Sequence, residues 1–213
     1  MKVCVAMFYD EPIKIYADTF YNVNKMYCDK YNIDIVVSHE KKYTNRKSHW
    51  ERLPLIISIL PDYDYVIWID ADAYFNLDYN ILDIIKKHND INFIFSKDRG
   101  SFQDKNGPFS INTGVFIVKN SEYSIIFLQK WAYDEVIFDY VVNKNRWNDQ
   151  EALLYMLENN TLNIQEHSIL LQYGLLQRFK NKHETYVHHL AGRDNRVKLS
   201  ICNEYYLKLK ETK

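Results

Sequence analysis

Val66-Ile67-Trp68-Ile69-Asp70-Ala71-Asp72-Ala73 runs four apolar residues straight into two carboxylates separated by one small residue. A short, continuous apolar run bounded by polar residues predicts a buried strand, here over Tyr63–Asp70. Residues i and i+2 of an extended chain point the same way. Asp70 and Asp72 therefore converge on one point if the strand geometry persists. Two carboxylates so close repel unless a cation lies between them. Hard oxygen ligands suit Mg2+ or Mn2+, and Ala71 leaves room for a ligand to approach the backbone. Two other readings stay open. In one, Asp70 caps the next helix and Asp72 is solvated, both ordinary at strand ends. A haloacid-dehalogenase-type phosphatase also opens with Asp-x-Asp after an apolar strand, but on the first strand, whereas this octet forms the third.

Working outward, strands and helices alternate. Lys2–Phe8 is a short buried strand, all apolar between Val3 and Phe8. Pro12 opens a helix with Ile15, Phe20, Val23, Met26 and Tyr27 at helical spacing. A second strand follows at Ile33–Ser38, then a helix over Trp50–Leu60 that stops at Pro61. After the third strand come a helix near Tyr79–His88 and a strand at Asn92–Ser96. A loop with Gly100, Gly107 and Pro108 leads to a strand at Ile111–Lys119. Helices are expected over Glu122–Asn143 and Asn148–Glu158. Continuous apolar strands alternating with helices predict an α/β domain whose mostly parallel sheet is covered on both faces. Ligands in such sheets bind beyond the carboxyl ends of the strands. That places Phe8, Tyr9 and Asp10 beside the Asp70–Asp72 pair, with Phe8 and Tyr9 as walls of a narrow pocket. No linker or repeat divides the 213 residues. One domain is expected, its nucleotide-binding half about 1–110 and its acceptor half about 111–213.

Composition narrows the function. A formal charge of −1 offers no field for nucleic acid. The local cluster of Lys41, Lys42, Arg46, Lys47 and Arg52 reads either as a solvated loop or as a funnel for an anionic substrate. Three widely spaced cysteines show neither a zinc spacing nor a disulfide framework. With no signal peptide and no apolar run approaching the roughly 20 residues of a membrane span, a cytoplasmic protein is expected, with further domains of a longer polypeptide as an option. Asn159-Asn160-Thr161 reads as a chance sequon.

Four more segments carry suitable chemistry. In Val187-His188-His189-Leu190-Ala191-Gly192-Arg193, an imidazole can complete a carboxylate metal site, and a mixed Asp/His set leans toward Mn2+. Gly192 lets backbone N–H groups approach a phosphate, and Arg193 can fork onto a diphosphate; a surface histidine and a plain turn are the alternative. Asn112, Thr113 and Gly114 interrupt an apolar strand, either to meet sugar hydroxyls and a close ligand or as a bend. Asn148 is a candidate helix N-cap, leaving Asp149 and Gln150 to face whatever lies above the helix. Arg52 is a candidate phosphate or base contact, and Trp50 reads as core.

Taken in order, Trp50-x-Arg52-Leu53-Pro54, Trp68-x-Asp70-Ala71-Asp72-Ala73, Asn112-Thr113-Gly114, Asp149-Gln150 and His189-x-x-Gly192 resemble the galactosyl/mannosyl/xylosyltransferase family. That family includes yeast mannan transferases and plant xyloglucan xylosyltransferases, and the likeness spans roughly residues 1–195. The resemblance implies a GT-A (Rossmann-like) fold and a divalent metal, Mn2+ with Mg2+ as the alternative. It also implies a UDP- or GDP-sugar donor, taken here as UDP, a glycan acceptor, and retention of configuration. On its terms Asp70, Asp72 and His189 are the metal ligands, while Gly192 and Arg193 form the diphosphate-binding turn. Phe8, Arg52, Asp70, Ala71, Asn112, Thr113 and Gly114 belong to the nucleotide-sugar site, and Asp149 with Gln150 covers the reacting face of the donor sugar.

Several features depart from the family. Arg52 stands where a lysine is common, Arg193 replaces a usual cysteine, and the membrane anchor and stem of the plant and fungal members are not expected within these 213 residues. In that compact form the chain is similar to glycosyltransferase domains encoded by large DNA viruses of algae. Two rivals remain: a catalytically silent nucleotide-sugar- or carbohydrate-binding module, and a sugar-nucleotide pyrophosphorylase, whose Gly-rich loop after the first strand is absent from Tyr9-Asp10-Glu11-Pro12.

Overall fold

The computed structural model describes residues 1–98, 110–144, 148–178 and 185–211. Gly100, Gly107 and Pro108 lie outside them. The first half of the chain folds as β1 (Val3–Phe8), α1 (Lys14–Tyr31), β2 (Asp34–Ser38), α2 (Arg52–Ile59), β3 (Tyr65–Ile69), β4 (Ala73–Phe75), α3 (Leu82–Lys87) and β5 (Phe93–Lys97). The second half adds β6 (Ile111–Lys119), α4 (Glu122–Tyr133), α5 (Glu135–Asn143), α6 (Asp149–Glu158), α7 (Ile164–His167), β7 (Ser168–Leu171), β8 (Gln177–Arg178), β9 (Val187–His189) and α8 (Asn195–Glu211).

Six strands form one sheet in the order β2-β1-β3-β6-β5-β7. β1 pairs parallel with β2 and β3, and β5 pairs parallel with β7. β6 alone is reversed, antiparallel to both β3 and β5. The reversal brings the amino end of β6, with Asn112, Thr113 and Gly114, to the carboxyl end of β3. Because β6 sits between β3 and β5, the two expected halves of the chain share one sheet.

Successive side chains of a strand point to opposite faces, and both faces are buried. Cys4, Ala6, Phe8, Val66 and Trp68 pack with α2, α4 and α6 on one side. Val3, Val5, Met7, Ile67 and Ile69 pack toward α1 and α3 on the other. This is the mostly parallel, two-sided α/β sheet that the apolar runs predict.

Three local expectations change. The single helix over Glu122–Asn143 is two helices. Asp134 takes an extended backbone (φ −73°, ψ 111°) and its side chain accepts from Ile137 N, so it caps α5 and stops α4. Ile15 lies on the outer face of α1 at 71% exposure, and Tyr16 and Ala17 join the expected Phe20, Val23 and Tyr27 in the buried stripe instead. Finally, β3 ends at Ile69, and Asp70–Asp72 form a turn closed by Ala73 N donating to Asp70 O at 2.9 Å. The two carboxylates are brought together by that turn, not by extended i, i+2 geometry.

The turn leads into an element that the sequence pattern did not reveal, a small sheet in the order β4-β9-β8. Its register sets Ala73 opposite His189, and Leu190 N donates to Asp72 O at 2.9 Å. Asn24 of α1 seals the outer edge of β4. Its Nδ2 donates to Ala73 O and its Oδ1 accepts from Phe75 N, both at 3.0 Å.

Candidate active site

The Asp70–Asp72 turn forms one wall of a cavity of about 490 Å3, within the range of small-molecule sites. Every site residue read from the sequence lines this cavity except Arg193 and Tyr9. Arg193 is exposed on the turn after β9, where its backbone N–H donates to Leu190 O at 3.2 Å. Gly192 in that turn has φ +70°, a left-handed conformation that favours glycine. Tyr9 points elsewhere, donating to Asp18 Oδ1 at 2.9 Å, so Phe8 supplies that wall without it.

Each acidic ligand candidate has one oxygen held by a protein donor and one left over. Asp70 Oδ1 accepts from Trp68 Nε1 at 2.8 Å and pairs with the Arg52 guanidinium at 3.2 Å. Asp70 Oδ2 faces His189 Nε2 at 3.7 Å. Asp72 Oδ2 pairs with Lys198 Nζ at 2.9 Å, and Asp72 Oδ1 lies 3.2 Å from His189 Nε2. One ligand atom from each of Asp70, Asp72 and His189 lies within 4.8 Å of the others. His189 Nδ1 lies 2.8 Å from Gln177 Oε1, which can only accept. Nδ1 therefore carries the proton, and in the neutral ring Nε2 keeps its lone pair toward the carboxylates, the arrangement of a metal-ligating histidine supported from behind. The donor set fits a hard-to-borderline divalent cation such as Mn2+ or Mg2+.

The charges are strongly coupled. Burial alone would raise the Asp72 carboxyl, but His189 and Lys198 more than reverse that and hold it well below the usual carboxylate range. Burial works to lower the His189 imidazole, and Asp72 and Asp70 outweigh it and raise it. For Asp149, burial pushes the carboxyl up while Arg52 opposes the rise.

Gly114 is explained by the histidine. A Cβ there would fall 2.0 Å from His189 Cε1 and 2.6 Å from Nδ1. The strand glycine is thus the seat of the imidazole ring. Gly114 also holds the carboxylate turn, its carbonyl accepting from Asp70 N at 2.8 Å.

Arg52 is only 3% exposed and is occupied by protein groups. Nε donates to His49 O at 2.9 Å and lies 3.3 Å from Asp149 Oδ2, while Nη1 donates to Thr113 O. Asp149 is 1% exposed and belongs to the lining of the cavity. Gln150 Oε1 accepts from Thr113 N at 3.0 Å, so it is the amide NH2 that remains for the cavity. Asn112 Oδ1 likewise accepts from Gly114 N at 2.9 Å. Asn148 caps α6, accepting from Glu151 N at 3.0 Å. Much of the basic cluster is paired as well. Lys41 bonds Asp10 at 3.0 Å, and Arg46 bonds Glu135 at 3.1 Å.

Two site residues lie outside the sequence reading, Gln177 and Lys198. Lys198 lines the cavity, is 8% exposed, and sits 4.9 Å over the Tyr16 ring. Both belong to elements, β8 and α8, that no periodic signal announced.

Residues 8–206 match the model of the galactosyl transferase GMA12/MNN10 family. Probable glycosyltransferase 6 of Oryza sativa subsp. indica is 24% identical over 152 residues, covering 63% of this chain and 31% of that protein. Galactomannan galactosyltransferase 1 of Cyamopsis tetragonoloba is 24% identical over 164 residues, covering 68% and 37%. The chain thus spans about a third of the length of these curated relatives. Among solved structures, a glycosyltransferase involved in the glycosylation of the major capsid of PBCV-1 superposes with a TM-score of 0.72 at 15% identity. That match covers 96% of this chain and 100% of the other, and the fold is GT-A. No helix of the described residues is long and apolar enough to cross a membrane. The chain belongs to the galactosyl transferase GMA12/MNN10 family.

Proposed function

We propose that this chain transfers a hexose, deoxyhexose or pentose from a UDP-sugar to a glycan acceptor, with retention of configuration and with a divalent cation, Mn2+ first. The observation that carries the reading is the convergence of Asp70, Asp72 and His189 on one point in the cavity wall. Asp70 Oδ2, Asp72 Oδ1 and His189 Nε2 would hold the cation, which when bound offsets the charge of the departing diphosphate.

The chain's own groups do the rest. Lys198 Nζ and the Gly192–Arg193 turn offer positive charge and N–H groups to the diphosphate. The NH2 of Gln150 and the side chain of Asn112 offer hydrogen bonds to sugar hydroxyls. As the bond from the anomeric carbon to the diphosphate oxygen breaks, the acceptor hydroxyl oxygen bonds to that carbon, and its proton passes to a leaving phosphate oxygen on the same face. An inverting route needs a general base on the opposite face, a free carboxylate being one such group. The four carboxylates of the described lining each have a cationic partner: Lys41 for Asp10, Arg52 for Asp70 and Asp149, and Lys198 for Asp72. That pairing favours retention.

A calorimetric screen of UDP- and GDP-sugars with and without Mn2+ tests the reading. UDP-sugars should bind in Mn2+ and lose affinity in EDTA, with UDP preferred over GDP by about tenfold, or roughly 1.4 kcal/mol. GDP binding as tightly as UDP would sink the base assignment. Failure of every nucleotide sugar to bind would sink the reaction class.

A further inference from the structure

Arg52 and Asp149 form a buried ion pair that the proposed reaction leaves unexplained. Their side chains are 4% and 1% exposed. Asp149 Oδ2 accepts no hydrogen bond among the described residues and meets the Arg52 Nε at 3.3 Å. Such a charge is expensive to bury. The guanidinium is planar and forked, and its other side reaches Asp70 Oδ1 at 3.2 Å. Trp68, whose ring lies 5.2 Å from the Arg52 guanidinium carbon, donates to the same oxygen. The chain of contacts therefore runs from α6 through α2 to the end of β3, and stops at the oxygen of Asp70 that does not face His189.

We infer that Asp149 is a positioning residue for the cation site: it neutralises and aims Arg52, which fixes Asp70 Oδ1 and leaves Oδ2 to the cation. This rests on the metal-dependent reading above. Asp149 then acts through Arg52 and Asp70, without touching the sugar. Charge counting gives the consequence. Asp70, Asp72 and Asp149 set against Arg52 and Lys198 leave the cluster one net negative charge. Removing the Asp149 charge leaves it neutral, and Arg52 then competes with the cation for Asp70 undivided. Removing both Arg52 and Asp149 charges restores the original balance.

The test is Mn2+ binding to the folded protein without substrate, followed by electron paramagnetic resonance, for wild type, Asp149→Asn and the double variant Arg52→Gln/Asp149→Asn. Asp149→Asn should weaken Mn2+ binding about tenfold, as an uncompensated charge a few ångströms away requires. In turnover it should recover near-wild-type kcat once Mn2+ saturates. The double variant, which also removes the unpaired buried charge that could prevent Asp149→Asn from folding, should recover most of the affinity. Phe127→Leu, a core change outside the cavity lining, should lower thermal stability and leave Mn2+ binding unchanged. Unaltered Mn2+ affinity in Asp149→Asn, or a kcat loss that persists at saturating Mn2+, would overturn the inference and return Asp149 to the sugar. If Asp149→Asn does not fold, a double variant that still binds Mn2+ tenfold more weakly than wild type overturns it as well. Wild-type protein that binds no Mn2+ removes the metal reading first, and this inference with it.

Discussion

Gly114→Ala adds one methyl group at a position where the strand backbone tolerates any residue and only space forbids it. The new Cβ would stand 2.0 Å from His189 Cε1, 2.6 Å from Nδ1 and 2.9 Å from Asn112 Oδ1. Carbon atoms rest at about 3.5–4.0 Å, so the imidazole must retreat by about 1.5 Å or the strand must yield. The ring has little freedom, being 7% exposed with Nδ1 2.8 Å from Gln177 Oε1. Overpacking of this kind costs about 1–3 kcal/mol. For a domain of this size each kcal/mol lowers Tm by about 2–4 °C, so a fall of about 2–12 °C is expected in a thermal melt followed by circular dichroism. The displaced ring should also weaken Mn2+ binding by about 10–100-fold, the usual effect of disturbing a ligand's support. A variant that keeps both its melting temperature and its Mn2+ affinity would refute the seating of His189 on Gly114.

Three further outcomes follow from the site. Asp72→Asn should lower nucleotide-diphosphate affinity in Mn2+ and barely change it in EDTA; equal losses in both would make Asp72 a structural residue or a direct nucleotide contact. Asn148→Ala removes the cap from α6 and should cost about 1 kcal/mol, read as a Tm lower by about 2–4 °C; an unchanged melt would show that the Glu151 N–H finds another partner. Proton NMR of the first-formed product should show the donor's anomeric configuration, with near-wild-type turnover in Asp149→Asn at saturating Mn2+; an inverted product with near-total loss in that variant would make Asp149 a base.

The central sheet is legible in the sequence because its strands are buried on both faces. Val66–Ile69 needs no partner information to read as a strand, and its position fixes where Asp70 and Asp72 emerge. The turn that joins them is less visible, since Asp-Ala-Asp suits an extended chain as well as a bend. β4 and β9 are three residues each and β8 two, too short for any periodicity to register. The pairing of Ala73 with His189 spans 116 residues and leaves no local trace. Gln177 and Lys198 stay hidden for the same reason, one on β8 and the other on a helix whose exposed face is strongly polar. At Asp134 the signal was present and outvoted: a capping residue stood inside an apolar pattern that runs on through Val136 and Ile137.

The account stands or falls on whether cleavage of a nucleotide sugar depends on the cation cluster. The direct measurement is release of UDP from a panel of UDP-sugars by the purified chain, without acceptor, in Mn2+ and in EDTA, alongside Asp70→Asn and His189→Ala. The account predicts slow hydrolysis of at least one UDP-sugar in Mn2+, none in EDTA, and losses of at least about 100-fold in both variants, as removal of a charge-stabilising group at a reacting centre produces. Hydrolysis that proceeds equally in EDTA, or that survives both substitutions, would contradict it.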